Sequence, residues 1–366
     1  MKSLRRVLVV HPFGIGDFLF MTPVLRALRL VPTVESVDLL LGSRTREVAE
    51  ANPHVDVVWV LDKERMHEQD FLTRIREWIV LGRQLKKRRY DLLLDYSLSR
   101  EYGFWAAAYL GIAKRAGFDY KSRGFFHTHR LSLPDGFCQR HVVDYYAELA
   151  ELAGIPVDVR HMEFYLPPGA RERAQQILRR QGILPHEKII TIAPGGGESW
   201  GRDARLKRWP APVMAEFVKR LAQTSMPDKM IVAGSSKESD LADELTRQLG
   251  PAAVNLAGKL TLPETAAVIR DSRFFVGNDG GLVHVAHALR TPLIAVYGPA
   301  NPVVYGPYPS SSSALAIYNP NASCRPCYTR FRYHAHCRSL EETSAAFAWD
   351  LTEKSGILNI GKCAVS

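Results

Sequence analysis

The chain has 366 residues, five cysteines and a formal net charge of +10. This length is about twice that of a typical domain, so we expect two domains. The cysteines are too few for a disulfide scaffold, and no apolar run resembles a signal peptide or a membrane span, which predicts a cytosolic protein. The positive charge is spread along the chain, which argues against a nucleic-acid binder and fits a polyanionic ligand, an anionic membrane surface or ordinary solubility.

The first half alternates short apolar runs with helical stretches, a pattern typical of parallel strands covered on both faces. The predicted strands are Arg6–His11, Val37–Leu41, Val57–Leu61, Leu92–Tyr96 and Arg115–Phe118. The predicted helices are Phe18–Leu30, Arg44–Ala51, Phe71–Lys87, Glu101–Leu110 and His141–Ala153. The segment Tyr120–Gln139 is rich in His and Arg and is predicted to be a long surface loop.

A break at Leu166-Pro167-Pro168-Gly169 predicts the domain linker, after which the same alternation returns. The second set of strands is Ile189–Ala193, Lys229–Ala233, Val254–Leu256, Phe274–Val276 and Leu293–Tyr297, and the helices are Arg171–Gln181, Pro212–Thr224, Glu238–Leu249 and Pro263–Arg270. We therefore expect an N-terminal domain (1–165) and a C-terminal domain (166–340), with the ligand at the carboxyl ends of their strands. Residues 341–366 are predicted to form a tail, partly helical, that packs back on the N-terminal domain.

The first candidate site is the turn between the first strand and the first helix, read as HPFGIGD from His11 to Asp17. Its glycines, including Gly16, predict a backbone that stays close to a ligand. Asp17 at the helix start is either an N-cap or a general base. His11 and Gly16 are candidate contacts to the acceptor, the substrate that such a base would deprotonate, although a histidine at a strand end is more often structural.

The second candidate site follows the first strand of the second half, where three glycines precede the basic sequence RDARLKRWP. Gly195 and Gly196 predict a flexible turn, and the cations Arg202, Arg205, Lys207 and Arg208 that follow could neutralise charge on a diphosphate leaving group. The alternative is a solvated basic loop. Trp200 and Trp209 make that alternative less attractive, because tryptophans in a loop usually pack against something.

Two further strand ends carry polar residues. Glu238, in AGSSKE, either holds a nucleoside sugar or caps a helix. The stretch VGNDGGLVHVAHALRTPLIAVYGPA begins at Val276 and contains Asp279, Gly280 and Gly281, which predict a phosphate cradle at a helix N-terminus. A tight turn with an aspartate cap is the plainer interpretation of the same residues.

The sequence Cys324-Arg-Pro-Cys327 is followed by His334, His336 and Cys337. This pattern allows a zinc site, reduced cysteines in a loop or a disulfide, and the irregular spacing does not decide between them. At the reaction site we expect no metal and no cofactor, because protein cations and backbone amides can stabilise a diphosphate leaving group.

Taken together, the strand-end motifs FGIGDFLFMTPVLRALR, APGGG, LKRWP, AGSSKESD and GNDGGLVHVAHALRTPLIAVYGPANP resemble the bacterial heptosyltransferases of glycosyltransferase family 9. The resemblance covers residues 5–300 and extends through the cysteine segment to about residue 337. It implies the GT-B fold, an α/β architecture of two Rossmann-like, doubly wound domains that face each other across a cleft.

The resemblance also implies an inverting, metal-independent reaction. An ADP-activated heptose would be attacked by a hydroxyl of a lipid A core that bears Kdo or heptose, at the inner face of the bacterial inner membrane. Asp17 would be the base, Lys207 would contact the diphosphate, and Glu238 would contact the ribose. The nucleotide site would include Asp279, Gly281 and His284.

One residue departs from the family pattern, because Gly280 stands where members usually have Ser or Thr. This departure leaves the identity of the donor open more than the reaction. Two rival functions keep the same fold: a nucleotide-sugar epimerase or hydrolase, and a non-catalytic nucleotide-sugar-binding protein.

Overall fold

The computed structural model of the chain describes residues 4–61, 70–197 and 201–363. The chain divides into two compact units, Met1–Tyr165 and Leu166–Ser366, and each has its own six-stranded sheet. Within the described residues, no helix combines the length and the apolar character needed to cross a membrane.

The first unit begins with a strand and alternates strands with helices. Its strands are β1 (Arg6–His11), β2 (Ser36–Leu41), β3 (Val57–Val60), β4 (Leu92–Asp95), β5 (Lys114–Asp119) and β6 (His129–Ser132). Its helices are α1 (Ile15–Leu30), α2 (Arg46–Glu50), α3 (Phe71–Arg88), α4 (Arg100–Trp105) and α5 (Val142–Leu152), with a 3₁₀ turn at Ser43–Thr45 and a π-helical turn at Ala106–Leu110.

The first sheet is parallel throughout, in the order β3-β2-β1-β4-β5-β6. Its central strands are apolar because helices cover both faces, and Leu8, Val10, Leu40 and Leu93 belong to one buried cluster. The strand order reverses between β1 and β4. In open parallel sheets, ligands bind at the carboxyl ends of the strands beside such a reversal.

The second unit repeats this plan. Its strands are β7 (Ile189–Ala193), β8 (Lys229–Val232), β9 (Ala253–Asn255), β10 (Phe274–Asn278), β11 (Leu293–Tyr297), β12 (Ala314–Tyr318) and a short hairpin of β13 (Tyr328–Thr329) and β14 (Arg332–Tyr333). Its helices are α6 (Ala170–Arg180), α7 (Ala211–Ser225), α8 (Ser239–Leu249), α9 (Leu262–Arg270), α10 (Gly281–Ala288), α11 (Pro302–Tyr305), α12 (Ala345–Ser355) and α13 (Ile357–Cys363), with 3₁₀ helices at Gly201–Lys207 and Ser236–Glu238.

The second sheet is also parallel and has the order β12-β11-β10-β7-β8-β9. In chain order this is the same arrangement as in the first sheet, so the predicted repetition of a doubly wound α/β fold is confirmed. The reversal here lies between β7 and β10, which pair directly. The residues that follow these two strands therefore meet at one edge of the sheet.

Two edge strands were not predicted from the sequence, and the C-terminal tail also needs comment. Strand β6 lies inside the predicted loop 120–139, and β12 lies after the last predicted strand, where no further strand was predicted. Both are edge strands with partly exposed residues, so they lack the continuous apolar run of a central strand. The tail is helical, and its expected packing on the N-terminal domain stays a prediction. Ala348 and Trp349 of α12 belong to the core of the second unit, where α12 lies against α7.

Candidate functional site

The turn after β1 places Asp17 beside the reversal of the first sheet. Helix α1 begins at Ile15 with Gly14 as its N-cap, so Asp17 lies in the first turn and is not the cap residue. Asp17 and Gly16 are both partly exposed. A carboxylate in the first turn is favoured by the helix dipole. The interpretation of Asp17 as the N-cap is therefore wrong.

His11 ends β1 and is fully buried. Its ring lies edge-on to Phe13, Phe18 and Tyr146, and Nε2 is 3.4 Å from the Tyr146 hydroxyl. These contacts show that His11 packs in the core of the first unit and supports the turn that carries Asp17. Its expected role in acceptor binding stays a prediction.

Burial lowers the pKa of His11 to about 3, against a smaller opposing effect of backbone hydrogen bonds at His11 and Asp17. Because the unfolded chain binds this proton near pH 6.5, the folding stability due to a neutral His11 is lost as the pH falls below that value. We expect the free energy of unfolding to drop by about 2 kcal/mol more between pH 7 and pH 5 in the wild type than in His11→Phe. Urea unfolding at the two pH values measures this, and equal drops would show that His11 is not buried neutral.

In the second unit, Lys207 and Asp279 form a buried ion pair. Lys207 Nζ lies 2.9 Å from Asp279 Oδ2, and the two side chains are 10% and 5% exposed. Lys207 ends the 3₁₀ helix Gly201–Lys207, and Asp279 follows β10. The structure thus brings together two residues that the sequence placed in separate motifs.

The glycine turn Gly195–Gly197 packs directly against this pair. A Cβ added at Gly196 would lie 2.6 Å from the Ala204 carbonyl oxygen and 2.7 Å from Lys207 Cβ, so no larger residue fits without movement. Gly197 has a φ of +74°, a left-handed conformation that favours glycine. These glycines let the chain turn tightly over Lys207.

Glu238 reaches the same turn from the end of β8. Its Oε2 accepts hydrogen bonds from the Ser235 N–H (2.9 Å) and the Ser235 hydroxyl (3.1 Å), so it does cap the 3₁₀ helix Ser236–Glu238. Its other oxygen, Oε1, is buried and has no hydrogen-bond partner among the residues that the structure describes, and a Cβ at Gly195 would overlap it. Glu238 therefore caps this helix through one oxygen, and its contact with a nucleoside sugar stays a prediction.

Helix α10 supplies backbone N–H groups at this edge. It begins at Gly281 with Gly280 as the N-cap, and no side chain caps it. His284 is buried in its first turn. Uncapped N–H groups and the positive end of the helix dipole favour a phosphate group here.

Gly280 does not need to be glycine. Its φ of −172° is an extended conformation, and a Cβ would meet its nearest atoms at 3.5–3.6 Å, which is ordinary contact. We expect Gly280→Ser to change the free energy of unfolding by only a few tenths of a kcal/mol and to tighten ADP binding a few fold, because it adds a hydroxyl at the N-cap. Urea unfolding and calorimetric titration with ADP measure these effects. Gly196→Ser, where a Cβ does not fit, is the matched control and is expected to weaken both stability and binding.

The family follows from comparison with known proteins. A family model described as glycosyltransferase family 9 (heptosyltransferase) matches residues 78–334, more than half of the chain. The chain belongs to glycosyltransferase family 9. It is therefore a glycosyltransferase, and its two repeated α/β sheets are those of the GT-B class.

Characterised members of family 9 match most of the chain. Lipopolysaccharide heptosyltransferase 1 of Pseudomonas aeruginosa is 26% identical over 331 residues, which are 88% of this chain and 86% of that protein. Lipopolysaccharide heptosyltransferase 3 of Escherichia coli is 24% identical over 307 residues, 80% of this chain and 83% of that protein. The structure of E. coli ADP-heptose lps heptosyltransferase II is similar in fold, with a TM-score of 0.73, 23% identity and coverage of 98% of this chain and 100% of that chain.

Two polar contacts near the strand ends were not predicted from the sequence. Asn278 Nδ2 donates to the Pro194 carbonyl (2.7 Å), which joins the turn after β10 to the turn after β7. In the first unit, Asp95 at the end of β4 is 3.1 Å from His127 Nε2, and both side chains are buried. Asn278 directly precedes Asp279, so its position could have indicated a role. His127 lies in a stretch predicted as loop and gave no such signal.

Two loop predictions have different outcomes. Trp209 is buried and its Nε1–H donates to the Thr343 carbonyl (2.7 Å), which confirms that it packs against another segment. Trp200 lies outside the described residues.

Of the three interpretations of the cysteines, the disulfide is wrong, because Cys324, Cys327 and Cys337 are free thiols.

Proposed function

We propose that the chain transfers a heptose from ADP-heptose to a lipopolysaccharide core acceptor, with inversion at the anomeric carbon. The observation that carries the proposal is the buried Lys207–Asp279 pair, set between the glycine turn Gly195–Gly197 and the N-terminus of α10. Family membership supports the sugar class. The names of the similar proteins, which refer to heptose transfer, lipopolysaccharide and ADP-heptose, support the donor and the acceptor.

The second unit would bind the donor. The diphosphate would lie at the first turn of α10, where Lys207 and the N–H groups that begin at Gly281 can hydrogen-bond to it. Asp279 holds the Lys207 ammonium beside this position. As the bond between the anomeric carbon and the diphosphate oxygen breaks, negative charge grows on that oxygen, and these groups stabilise it.

The nucleoside would be held by the neighbouring strand end. Within the described part of the chain, Glu238 Oε1 is a buried acceptor without a hydrogen-bond partner, next to the backbone at Gly195. A ribose hydroxyl is a donor that would satisfy this oxygen, and an unsatisfied buried carboxylate oxygen is costly. This supports Glu238 as a ribose contact.

The first unit would supply the base. The acceptor hydroxyl would give its proton to the Asp17 carboxylate while its oxygen attacks the anomeric carbon and ADP leaves from the opposite face. A single displacement of this kind inverts the anomeric configuration and needs one base and one stabilised leaving group. Gly16, which precedes Asp17 and is partly exposed, leaves room for the acceptor.

The donor assignment is tested by a melting-temperature screen of the purified chain with ADP-, GDP-, UDP- and dTDP-sugars. ADP-heptose is expected to raise the Tm most, because at equal concentrations the ligand that binds the native state most tightly stabilises it most. A larger shift with a sugar nucleotide of another base would contradict the donor assignment.

We also propose that the first unit binds the anionic membrane surface at an aromatic patch, Phe104, Phe125 and Phe126. Phe104 and Phe125 are 53% and 75% exposed, and Phe126 contacts both rings. The exposed cations Lys121 and Arg123 lie in the same segment as Phe125. Aromatic side chains with neighbouring cations suit an interface with anionic lipids.

The patch predicts a defined defect in vesicle binding. Phe104→Ser together with Phe125→Ser is expected to weaken binding to phosphatidylglycerol-containing vesicles by at least about tenfold. The reason is that each Phe side chain that becomes buried in the membrane contributes about 1.5–3 kcal/mol to binding. Cosedimentation measures the affinity. Met226→Ser is the control, since Met226 is also 75% exposed but lies in the second unit. Equal losses in the control and the double variant would contradict the assignment of this surface.

A further inference from the structure

Three cysteine thiols converge in the segment that follows β12. Cys324, Cys327 and Cys337 have all of their sulfur atoms within 4.8 Å of one another. The Sγ atoms of Cys324 and Cys327 are 3.2 Å apart, and those of Cys324 and Cys337 are 4.0 Å apart. In a tetrahedral site with metal–sulfur bonds of about 2.3 Å, sulfur atoms are about 3.8 Å apart. The two separations lie on either side of this value, so small movements of the side chains would place all three sulfurs on one metal ion.

The surroundings of the sulfurs are those of a ligand set. Cys327 and Cys337 are buried, and Cys324 is partly exposed. The Arg338 N–H donates to Cys324 Sγ (3.3 Å), and the Ser339 hydroxyl lies 3.1 Å from Cys337 Sγ. Donors to sulfur favour thiolates, and outer hydrogen bonds of this kind orient metal ligands.

The chain around the cysteines has little regular structure of its own. Between Cys327 and Cys337 it forms only the hairpin of β13 and β14, each two residues long. Short segments with few apolar contacts often depend on a metal ion for their folding energy. A cross-link through three thiolates would hold this segment in one conformation.

The segment also supports the 3₁₀ helix that ends at Lys207. The Tyr333 hydroxyl donates to the Asp203 carboxylate inside that helix. Arg325 Nη1 donates to the Gly298 carbonyl (2.6 Å), and Trp209, just after Lys207, donates to Thr343. The Tyr333–Asp203 hydrogen bond therefore connects the cysteine segment to the helix that ends at Lys207.

We propose that Cys324, Cys327 and Cys337 bind one zinc ion, which keeps the Lys207 helix in its donor-binding position. Binding takes three thiolates, releases their protons and leaves the fourth coordination position to a ligand outside this cluster. The ion is structural and takes no part in bond breaking. Its effect on the donor rests on the proposed function, whereas its binding does not.

Metal binding is tested on the full chain. After reduction and removal of metal, the wild type is expected to take up one Zn²⁺ per chain, and Co²⁺ used as a probe should give intense thiolate-to-cobalt absorption. Cys327→Ser should lose most of this affinity, while Cys138→Ser, which changes an exposed cysteine of the first unit, should keep it. If the reduced wild type takes up no metal and shows no thiolate-to-cobalt absorption, the proposal is overturned, whether or not Cys327→Ser folds.

The link to the donor is tested separately. Tyr333→Phe, which keeps all three cysteines, is expected to retain one Zn²⁺ and to weaken ADP binding several fold, and removal of zinc from the wild type should weaken ADP binding at least as much. An unchanged ADP affinity in the zinc-free protein would overturn the structural link, even with stoichiometric zinc. Zinc uptake without any ADP affinity in any form would instead contradict the proposed function.

Discussion

Asp17→Asn is expected to lower kcat for heptose transfer by about 10²–10⁴-fold and to change the Kd of ADP less than twofold. Asn has nearly the shape of Asp but cannot accept the proton of the acceptor hydroxyl. ADP is expected to bind to the second unit, so its affinity should not depend on Asp17. Initial rates with saturating ADP-heptose and calorimetric titration with ADP measure the two effects.

Glu47→Gln is the matched control for this change. Glu47 is exposed and lies in the first turn of α2, as Asp17 does in α1, so the control removes a similar interaction with a helix dipole. It is expected to leave kcat within a factor of two. If Asp17→Asn retains most of the wild-type turnover, Asp17 is not the base.

Lys207→Met is expected to impair both stability and transfer. Removing one partner of a buried ion pair leaves Asp279 charged and unpaired, which costs about 3–5 kcal/mol. Loss of the cation beside the leaving group should lower kcat/KM by about 10²–10³-fold. Urea unfolding and steady-state kinetics measure the two losses, and Lys219→Met, at an exposed position of α7, should show neither.

The double variant Lys207→Met with Asp279→Asn separates the two roles of the pair. It no longer buries an unpaired charge, so most of the stability should return, but the cation at the leaving group is still absent and kcat/KM should stay low. Recovery of kcat/KM together with stability would contradict a catalytic role for Lys207 and would leave the pair a structural feature.

The fold was largely predictable because its signals are local. Central strands such as β1 and β7 are continuous apolar runs, and glycines mark the turns after them, as at Gly16 and Gly195. The edge strands β6 and β12 could not be identified in the same way, since one side of an edge strand is exposed and its residues are mixed.

The candidate site was predicted residue by residue, but not as an arrangement. The Lys207–Asp279 pair exists because β7 lies next to β10, a neighbour relation that no local pattern contains. The burial of His11 depends on Tyr146 from a distant helix. The cysteines show the same limit, because their spacing allowed several interpretations until the chain brought the sulfurs together.

The most direct test of the account is the product of the reaction with ADP-heptose and a heptose- or Kdo-bearing lipid A core. Inverting heptose transfer predicts one ADP released per heptose transferred, an inverted anomeric configuration by NMR, and negligible ADP release without acceptor. Rapid release of ADP or an epimerised sugar without acceptor would contradict it and identify a hydrolase or epimerase instead. Retention of the anomeric configuration would contradict a single displacement with Asp17 as the base.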